Sequence, residues 1–402
     1  MSDMRIPLSN PDITERECRL VLEVLKTPNL SLGPKLPEFE EKLARFIGAP
    51  HAVAVNSGTS GLHLCVRALD IKDGDEVITT PFSFVASANC LLFERAVPVF
   101  VDIEDKGMNI DVEKLAEACR RLAARKKSRL KALLPVHVFG RPCEMAEIEK
   151  LAERYGLRLI EDSCEAIGSE IMLERPDRPQ EKAWRKAGTF GDCSVFAFYP
   201  NKQMTTGEGG MIVTADAEIA RLCRSMRNQG RGEGGEWLQH ERLGYNYRLS
   251  DINCALGLAQ LERLEDILKT RERKARLYNE RLADLAELVL PAFEPDKKIS
   301  WFVYVVRLQD RFTQDDRDFI LAGLREKGIG CGNYFSPIHL QPFYRRMFGY
   351  REGDFPITEK TAERTIALPF YNHLQEEQID DIYNALKEIL GGLASKRKRY
   401  DG

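Results

Sequence analysis

Hydrophobic residues recur along this chain with two different periods. Near the N-terminus, apolar positions have helical spacing in "ITERECRLVLEVLKT" and "LPEFEEKLARFIG", and Pro and Gly bound these segments, which predicts two helices. Further on, the apolar runs are short and hardly alternate with polar residues, as in "HAVAVNS", "DEVITTP", "AVPVFVDI", "LKALLPVHVFG" and "LRLIEDS". Runs of this kind are typical of strands buried on both faces of a parallel sheet.

The strand-like runs alternate with helical patterns such as "CEMAEIEKLAERYG". This alternation predicts an α/β fold with a mostly parallel central sheet covered by helices. A long helical pattern from about Ser250 to Ala286 follows and is interpreted as a bridge to a second domain. We therefore expect a large α/β domain with an N-terminal arm in residues 1–255, and a smaller domain in residues 256–402.

The expected smaller domain mixes strand-like and helical patterns, which indicates an α+β domain. "WFVYVVRL" and "GIGCGNYF" are predicted strands, and helical spacing occurs near residues 314–327, 357–366 and 375–390. One segment of the larger domain fits neither pattern, because "MLERPDRPQEKAWRKAG", residues 172–188, is almost wholly polar. We expect a solvated surface loop there rather than a flap over a substrate.

Composition narrows the class of partner. The chain has 402 residues, enough for more than one ordinary core, and its 59 basic and 62 acidic residues give a formal net charge of -3. This balance argues against a nucleic acid or a membrane and favours a small soluble substrate. No apolar run could span a bilayer and no signal peptide is visible, so a cytoplasmic protein is expected. The 10 cysteines are scattered singly, which predicts neither a metal site nor a disulfide framework.

Three segments carry candidate chemistry. Lys202 in "FAFYPNKQMTTGEGGMIVT" closely follows an aromatic, strand-like run, and a lysine becomes a nucleophile when burial favours its neutral amine. In "VAVNSGTSGLHLCVRAL" a strand passes into a helix through the small residues Ser57, Gly58, Thr59, Ser60 and Gly61, and the free amides at such a helix N-terminus can bind phosphate. Asp162 in "LRLIEDSCEAIG" ends a strand, at the edge where open α/β sheets bind ligands.

Each of these features alone has a simpler explanation: a solvated lysine, an ordinary helix cap, and a carboxylate paired with a nearby Arg or Lys. Together they describe a phosphate cradle, a partner for the protonated ring nitrogen of pyridoxal phosphate, and a Schiff-base lysine. The phosphate segment matches neither GxxxxGK[ST] nor GxGxxG, so a nucleoside triphosphate or a dinucleotide is not indicated. The combination predicts an enzyme that depends on pyridoxal phosphate.

With these motifs and with "PFSFVASANC", "PVHVFGRPCEM", "GYNYRLSDINCALGLAQL" and "HLQPFY", nearly the whole chain resembles the DegT/DnrJ/EryC1/StrS family of pyridoxal-phosphate-dependent sugar aminotransferases. The resemblance implies a fold type I structure, similar to that of aspartate aminotransferase. It also implies that Lys202 holds the cofactor as a covalent Schiff base and that Asp162 pairs with the pyridine nitrogen. Gly58, Thr59 and Ser60 would hold the phosphate.

The resemblance implies further site residues. Phe84 matches the aromatic residue that stacks on the cofactor ring. Asn246 matches an asparagine that reaches the phosphate of the neighbouring subunit, which implies a homodimer with shared active sites. Arg231, Tyr334 and His339 fall where substrate contacts are usual. Two of these, the tyrosine and the histidine, could be structural instead, and the phenylalanine could belong to the core.

Two positions depart from the family pattern. Many relatives have a serine on the phosphate five residues before the lysine, where this chain has Ala197, and the nearby Ser194 is out of register. Where many relatives have glutamine, this chain has Glu165, which is expected beside the cofactor's phenolic oxygen or the substrate. A carboxylate that faces that oxygen would be repulsive unless it is protonated or turned away.

The reaction implied by the resemblance has two halves. An amino donor, expected to be glutamate, converts pyridoxal phosphate into pyridoxamine phosphate, and a nucleotide-linked keto sugar then takes up the amino group. We expect a 4-amino, 6-deoxy product for polysaccharide or antibiotic biosynthesis. A pyridoxamine-dependent sugar 3-dehydrase would have histidine in place of Lys202. Two further classes remain possible: a fold type I lyase or desulfurase, and a non-catalytic regulatory protein that binds the cofactor and would carry a DNA-binding module.

Overall fold

The computed structural model describes residues 4–175, 178–232 and 239–400, apart from the side chains of residues 179 and 394–400. In chain order, the strands of this part are β1 (His51–Val55), β2 (Glu76–Thr79), β3 (Val97–Phe100), β4 (Leu130–Leu133), β5 (Arg158–Asp162), β6 (Glu170–Arg175), β7 (Arg178–Lys186), β8 (Cys193–Ala197), β9 (Gly210–Thr214), β10 (Leu288–Val289), β11 (Lys297–Lys298), β12 (Tyr304–Leu308) and β13 (Thr365–Leu368).

The α-helices of the same ranges connect these strands and form most of the C-terminal part. They are α1 (Glu15–Leu25), α2 (Lys35–Ile47), α3 (Gly58–Ala68), α4 (Ala86–Leu92), α5 (Val112–Ala123), α6 (Met145–Tyr155), α7 (Ala217–Arg227), α8 (Asp251–Glu262), α9 (Leu264–Leu282), α10 (Gln314–Glu326), α11 (Pro342–Phe348), α12 (Pro356–Arg364) and α13 (Glu376–Tyr400). Their N-termini often carry the expected caps, such as the capping box of α1.

The central sheet has seven strands in the order β1-β9-β8-β5-β4-β2-β3. Strands β8, β5, β4, β2 and β3 are parallel to one another. Strand β9 is antiparallel to both of its neighbours, β1 and β8. Six strands therefore run in one direction and β9 alone runs in the other. The predicted α/β fold with a mostly parallel sheet is confirmed, and its carboxyl edge collects the loops that follow β1, β2, β4, β5 and β8.

Both faces of the sheet are covered by helices, which explains why its strands are apolar without alternation. On β1, Val53 lies in a buried cluster that includes α3 and α7, whereas the adjacent Ala54 lies in one that includes α2 and α8. On β5, Ile160 joins the α3 side, and Leu159 packs with α5 and α6. Successive residues of one strand therefore enter different cores, so apolar residues follow one another in the middle of the strand.

A second core forms around the antiparallel sheet β10-β12-β13. Helices α9, α10 and α13 cover this sheet with residues such as Tyr278, Ile320 and Leu386, and the N-terminal Ile6 packs among them. The segment "GIGCGNYF", predicted as a strand, makes only isolated bridges, between Ile6 and Ile329 and between Gly332 and Ala367. That prediction was wrong. The segment pairs with residue 6 through one residue and with β13 through another, and a single bridge at each place does not make a strand.

The long helix predicted from about Ser250 to Ala286 is two helices. Helix α8 ends before Arg263, whose backbone at φ -122° and ψ 14° is not helical, and α9 begins directly after it. The Arg263 guanidinium contacts the carboxylates of Asp12 and Glu17, so the break places this side chain on the N-terminal arm.

The expected domain boundary at residues 255 and 256 falls inside α8. Leu258 and Ile267, beyond that point, still pack in the core of the large domain, and Ala275 is the first residue of α9 within the second core. We therefore propose that the chain passes from one domain to the other within α9 instead.

The polar segment 172–188 is not the expected surface loop. Strands β6 and β7 form a hairpin with Met172 opposite Trp184, and β11 pairs with β6 as a third strand. Arg185 donates two hydrogen bonds to Glu149, and Lys298 lies 4.2 Å from the ring centroid of Trp184. The interpretation as a loop failed because a hairpin with two largely polar faces gives little periodic signal. Its residues 176–177 lie outside the described part.

Two classes of feature are missing from the described ranges. No helix there combines the length and apolar character that a membrane span needs. Within the same ranges, His, Cys, Asp and Glu side chains form no group of three or more that could hold a metal ion. Their cysteines are free thiols, most of them buried.

Candidate active site

A cavity of about 610 Å³ opens at the carboxyl edge of the central sheet. The loops after β1, β2, β4, β5 and β8 form one side of it, and residues 333–335 with Phe302 close it from the C-terminal domain. Most residues predicted from the sequence line this cavity: Gly58, Thr59, Phe84, Asp162, Glu165, Lys202 and Tyr334. The sequence-based grouping of a small-residue turn, a strand-end carboxylate and a lysine thus corresponds to one place in the fold.

Lys202 lies on the turn after β8, with its amine directed into the cavity. Its side chain is 12 % exposed, and its Nζ lies 3.5 Å from Oε1 of Glu165. The same nitrogen lies 3.8 Å from the ring centroid of Phe302, and the backbone N–H of Lys202 donates to the Tyr199 carbonyl at 2.9 Å. The amine is therefore confined between an aromatic face and a carboxyl group, which gives a potential nucleophile a fixed position.

Asp162 is the last residue of β5 and is buried. Its Oδ2 accepts a hydrogen bond from Ser87 Oγ at 2.6 Å, and its Oδ1 accepts one from the backbone N–H of Cys164 at 3.2 Å. In the described part of the chain, this carboxylate makes no ion pair. Because a buried carboxylate without a cation is costly, its environment is suited to a cationic ligand group in the cavity.

The N-terminus of α3 faces the cavity through Ser57, Gly58 and Thr59. Ser57 caps the helix, since its Oγ accepts a hydrogen bond from the Ser60 N–H at 3.1 Å. The backbone amides of Gly58 and Thr59 meet no acceptor within the described residues. A helix N-terminus with free amides is an anion site, so the predicted phosphate cradle has donors available.

The backbone of Gly58 lies unusually close to the neighbouring strand ends. A Cβ at this position would lie 2.8 Å from Cβ of Ala197 and 2.9 Å from Sγ of Cys164, so only glycine fits. Ala197 thus borders the cradle with a methyl group where many relatives have a hydroxyl. Ser194 does not compensate, because it is buried and donates to the Glu161 carbonyl and to Ser163. Ser57, the first residue of the predicted small-residue segment, also lines the cavity.

Glu165 is buried beside Lys202 and is held from its other side. Its Oε2 accepts a hydrogen bond from the backbone N–H of Phe139 at 2.8 Å, while Oε1 faces the lysine amine. Burial raises the pKa of Glu165, and the nearby lysine only partly offsets this effect. The carboxyl group therefore takes up a proton more readily than an exposed glutamate does.

Phe84 does not belong to the core. Its surface is 62 % exposed, and the residue separates the main cavity from a neighbouring cavity of about 580 Å³. The second cavity shares Ser83, Phe84 and Phe335 with the first, and Phe343 and Arg346 lie on its far side. The two cavities therefore adjoin at Phe84 and form one continuous cleft.

Tyr334 enters the cavity from the C-terminal domain. Its ring is stacked on Phe302 with centroids 6.4 Å apart and an interplanar angle of 11°. Burial raises the pKa of the Tyr334 hydroxyl, and the nearby Asn201 side chain acts in the opposite direction. Asn201 and Phe302 line the cavity but were not predicted. Asn201 precedes the lysine and could have been noted for that reason, whereas Phe302 has no motif.

Two predicted substrate contacts lie outside the cavity. His339 is fully buried, with Nε2 3.0 Å from Glu359 Oε1 and its ring 4.7 Å from that of Phe355. Its environment is structural, and burial lowers the pKa of the imidazole. Arg231 follows α7 and makes an isolated bridge with His240. Neither side chain lines the cavity of its own chain.

Asn246 is exposed and also lies away from the cavity of its own chain. The rings on either side of it, Tyr245 and Tyr247, stack on each other at 4.9 Å and pack on the buried His63. Because alternate residues of an extended segment point to opposite sides, the two tyrosines anchor the segment while Asn246 faces outward. The Asn246 side chain is therefore exposed, whereas its backbone carbonyl accepts a hydrogen bond from Asn56 Nδ2 at 3.4 Å.

Comparison with known sequences gives a match over almost the whole chain. The sequence model of the DegT/DnrJ/EryC1/StrS aminotransferase family matches residues 11–387. The GDP-perosamine synthase of Caulobacter vibrioides is 36% identical to this chain. The alignment covers 97% of this chain and 100% of the synthase.

Solved structures give the same picture. PseC of Helicobacter pylori, an aminotransferase involved in the biosynthesis of pseudoaminic acid, has a TM-score of 0.87 and 30% identity, with 96% of this chain and 99% of PseC covered. Spr1654 of Streptococcus pneumoniae, solved in its PLP form, has a TM-score of 0.86 and 25% identity, with 96% of this chain and 98% of that one covered. These similarities extend over both domains.

Proposed function

This chain belongs to the DegT/DnrJ/EryC1/StrS aminotransferase family and is a pyridoxal-phosphate-dependent sugar aminotransferase, and we propose that it transfers the amino group of glutamate to a nucleotide-linked keto sugar. We propose a 4-amino, 6-deoxy sugar as the product, for use in polysaccharide or antibiotic biosynthesis. The GDP-perosamine synthase similarity supports a nucleotide-linked substrate, and the cleft of two adjoining cavities supports an elongated one.

One observation carries the proposal: a confined lysine amine and a buried carboxylate without a cation face the same cavity. Lys202 fits a covalent link to an aldehyde, and Asp162 fits a protonated ring nitrogen, because it lacks an ion-pair partner in the ranges described. The free amides of Gly58 and Thr59 fit the phosphate, and Thr59 lines the cavity, whereas the Ser60 hydroxyl is paired with that of Ser57 at 2.9 Å and does not line the cavity. The residues present therefore match pyridoxal phosphate at its aldehyde, ring nitrogen and phosphate.

When bound, pyridoxal phosphate supplies an electron sink that stabilises a negative charge on the substrate carbon. We propose that Lys202 would hold it covalently through Nζ, and that the same nitrogen, once free, would remove a proton from the substrate carbon that carries the amino group. Asp162 keeps its partner nitrogen protonated, and Ser87 orients that carboxylate. Phe84 would hold the ring of the cofactor, and the carboxyl group of Glu165, whose pKa is raised by burial, would take up a proton beside the amine.

We propose a homodimer in which each active site takes Asn246 from the partner. The exposed position of this asparagine, with its two neighbouring tyrosines turned inward, supports a role in another subunit. Leu243, three residues earlier, is 68 % exposed, which suits a residue covered by an interface. We propose Arg231, which does not line the cavity of its own chain, as a substrate contact in the partner's cavity, whereas Tyr334 serves its own site. The expected cytoplasmic location remains a prediction.

A pyridoxamine-dependent sugar 3-dehydrase is disfavoured by Lys202 itself. A lysine amine in the cavity can re-form the covalent link after each turnover, which such a dehydrase has to avoid. A non-catalytic regulatory protein is disfavoured by the similarity of the whole chain to sugar aminotransferases, since residues 11–387 are taken up by the family match.

The proposed function is tested with purified protein that has been loaded with pyridoxal phosphate. Addition of glutamate should shift the absorbance from the Schiff-base band to that of pyridoxamine phosphate, and nucleotide-linked 4-keto-6-deoxy sugars should restore the first band. GDP-, UDP- and dTDP-linked sugars are compared, with nucleotide-linked 3-keto sugars as the matched comparison. Restoration by 3-keto sugars alone would overturn the 4-amino assignment.

Lys202→Ala provides the second arm of this experiment. The variant should bind pyridoxal phosphate without the Schiff-base band, and borohydride reduction should attach the cofactor to the wild-type peptide that contains Lys202 but not to the variant peptide. If the variant keeps the band, the proposed role of this lysine is wrong.

A further inference from the structure

Arg271 on α9 is a buried cation without a carboxylate in contact. The residue is 4 % exposed, and no ion pair involves it within residues 4–175, 178–232 and 239–400. Asp12 is the nearest anionic influence on it, and that carboxylate is already paired with Arg263 and His373. Burial lowers the pKa of Arg271 to about 10. Holding a guanidinium there is costly, and an apolar side chain would often stabilise a core more.

Both Nη atoms of Arg271 donate to backbone carbonyl groups, whereas its buried Nε meets no acceptor in the part of the chain that the structure describes. Its Nη1 donates to the carbonyl oxygens of Trp301 at 3.1 Å and Phe302 at 3.2 Å, and its Nη2 donates to that of Lys202 at 3.4 Å. The group also lies 5.4 Å from the ring centroid of Phe370. One planar cation therefore joins the turn that carries the lysine to the segment that precedes β12.

These contacts surround the lysine from two sides. The carbonyl group of Lys202 is the backbone end of that residue, and the ring of Phe302 lies 3.8 Å from its Nζ. Arg271 thus contacts both the backbone from which the amine extends and the residue on which the amine rests. A shift of about 1 Å in a reacting group can cost on the order of 100-fold in rate, so this arrangement bears directly on catalysis.

We propose that Arg271 is a positioning residue for Lys202, which fixes the lysine backbone and the Phe302 ring relative to each other and so places the amine in the cavity. This inference rests on the proposed function, because it takes Lys202 as the residue that binds the cofactor. Arg271 itself does not line the cavity and touches neither cofactor nor substrate. A planar group with several donors in fixed directions suits a contact with three carbonyl groups better than an ammonium does.

A purely structural role would hold the two domains together without affecting the amine. The two roles differ in what they change: a structural role lowers the melting temperature, whereas a positioning role lowers kcat and the rate of Schiff-base formation at temperatures where the protein is folded. A change of Arg271 to lysine keeps the positive charge but loses the planar arrangement of donors. This variant therefore helps to distinguish the structural role from the positioning role.

The experiment compares Arg271→Met and Arg271→Lys with Arg276→Met as the matched control. Arg276 lies on the same helix with its guanidinium 4.3 Å from the ring centroid of Phe293, but it is exposed and does not contact the lysine turn. Each variant is assayed for the rate of Schiff-base formation with pyridoxal phosphate and for kcat and KM. Acetylation of Lys202 in the cofactor-free protein, measured by peptide mass spectrometry, reports the amine position independently of activity.

We expect Arg271→Met to lower kcat and the rate of Schiff-base formation by about 10-fold to 100-fold with a KM change below about threefold, because the loss concerns the reacting group rather than substrate binding. Arg271→Lys should recover part of both rates. In the cofactor-free protein, Arg271→Met should increase acetylation of Lys202, since the amine is released from the Phe302 ring. Arg276→Met should match the wild type in all three measurements.

The inference is overturned if both Arg271 variants, folded at the assay temperature, keep wild-type rates and wild-type acetylation while only the melting temperature falls. If Arg271→Met does not fold, Arg271→Lys decides by the same criteria. Lys202→Ala tests the proposed function separately from the positioning role of Arg271. A Schiff-base band in that variant would contradict the proposed function, whatever the Arg271 variants show.

Discussion

Ser87 Oγ donates a hydrogen bond of 2.6 Å to Oδ2 of Asp162. The serine lies in the first turn of α4, and the aspartate ends β5, so the contact joins two loops of the carboxyl edge. It fixes the carboxylate in the cavity where no cation from the described residues holds it. Ser83 Oγ, 2.8 Å from Ser87 Oγ, continues the chain of hydroxyl groups without reaching the aspartate.

We predict that Ser87→Ala weakens the site through Asp162. A hydrogen bond to a charged group contributes about 1.5–3 kcal/mol, so the affinity for pyridoxal phosphate or kcat should fall by about 10-fold to 100-fold. Absorbance titration with the cofactor and steady-state kinetics measure the two effects. Ser83→Ala is the control, with a change below about threefold, since it removes only a neighbour of the donor. Equal effects of the two variants would contradict a specific role of the Ser87 contact.

The sequence was informative where chemistry lies at the end of an apolar run. Lys202, Asp162 and Gly58 each follow a recognisable strand, and parallel strands bring their carboxyl ends to one edge, so their proximity could be predicted. Ser87 and Phe302 could not be assigned in this way. Their roles depend on contacts between segments that are distant in sequence, and neither residue type indicates a particular function by itself.

The errors have physical reasons as well. The hairpin of residues 172–188 has polar residues on both faces, so the period of two that indicates a strand is weak there. His339 was predicted as a substrate contact, but its neighbours Tyr350 and Phe355 bury it, and burial depends on tertiary packing that a motif does not show. No role was predicted for Arg271, because an arginine within a polar helical pattern is usually solvated, whereas this one is buried.

We predict that Ala197→Ser strengthens phosphate binding. Ala197 borders the cradle beside Gly58, so a hydroxyl at this position adds a donor toward a charged phosphate. A new hydrogen bond of this kind should lower the Kd for pyridoxal phosphate by up to about 10-fold. Fluorescence titration of the cofactor-free protein measures the change. The matched control is Ser194→Ala, whose hydroxyl donates to Glu161 and Ser163 instead and should leave the affinity unchanged. An unchanged Kd in Ala197→Ser would show that the cradle already has enough donors.

Glu165 gives a prediction for the pH dependence of stability. Burial raises the pKa of its carboxyl group in the folded protein, so the folded state binds the proton more strongly than the unfolded state does. The neutral carboxyl group therefore contributes its full stabilisation below the pKa that Glu165 has in the unfolded chain. This stabilisation is lost as the pH rises through the pKa that Glu165 has in the folded protein. Glu165→Gln, which keeps an acceptor for the Phe139 N–H, should remove this loss.

The test is a series of melting temperatures for cofactor-free protein between pH 4 and 8. The difference between Glu165→Gln and the wild type should increase in favour of the variant as the pH rises, and it should vanish at the acid end, where both side chains are neutral. A constant difference over the whole range would contradict a raised pKa. Loaded with cofactor, the same variant has the amide that many relatives carry, so it should still form the Schiff-base band.

The proposed sharing of active sites between two subunits gives the last prediction, which uses two variants that should each be inactive or weak alone. Lys202→Ala removes the amine and keeps Asn246, whereas Asn246→Ala keeps the amine and removes the side chain offered to the partner. In a mixed dimer, the site with the intact lysine receives an intact Asn246 from the other subunit, and the second site lacks both. Random exchange in a 1:1 mixture makes half of the dimers mixed, with one complete site each, so activity should reach about a quarter of the wild-type value. Activity equal to the mean of the separate variants would mean that each chain uses its own asparagine, or that Asn246 has no part in the site.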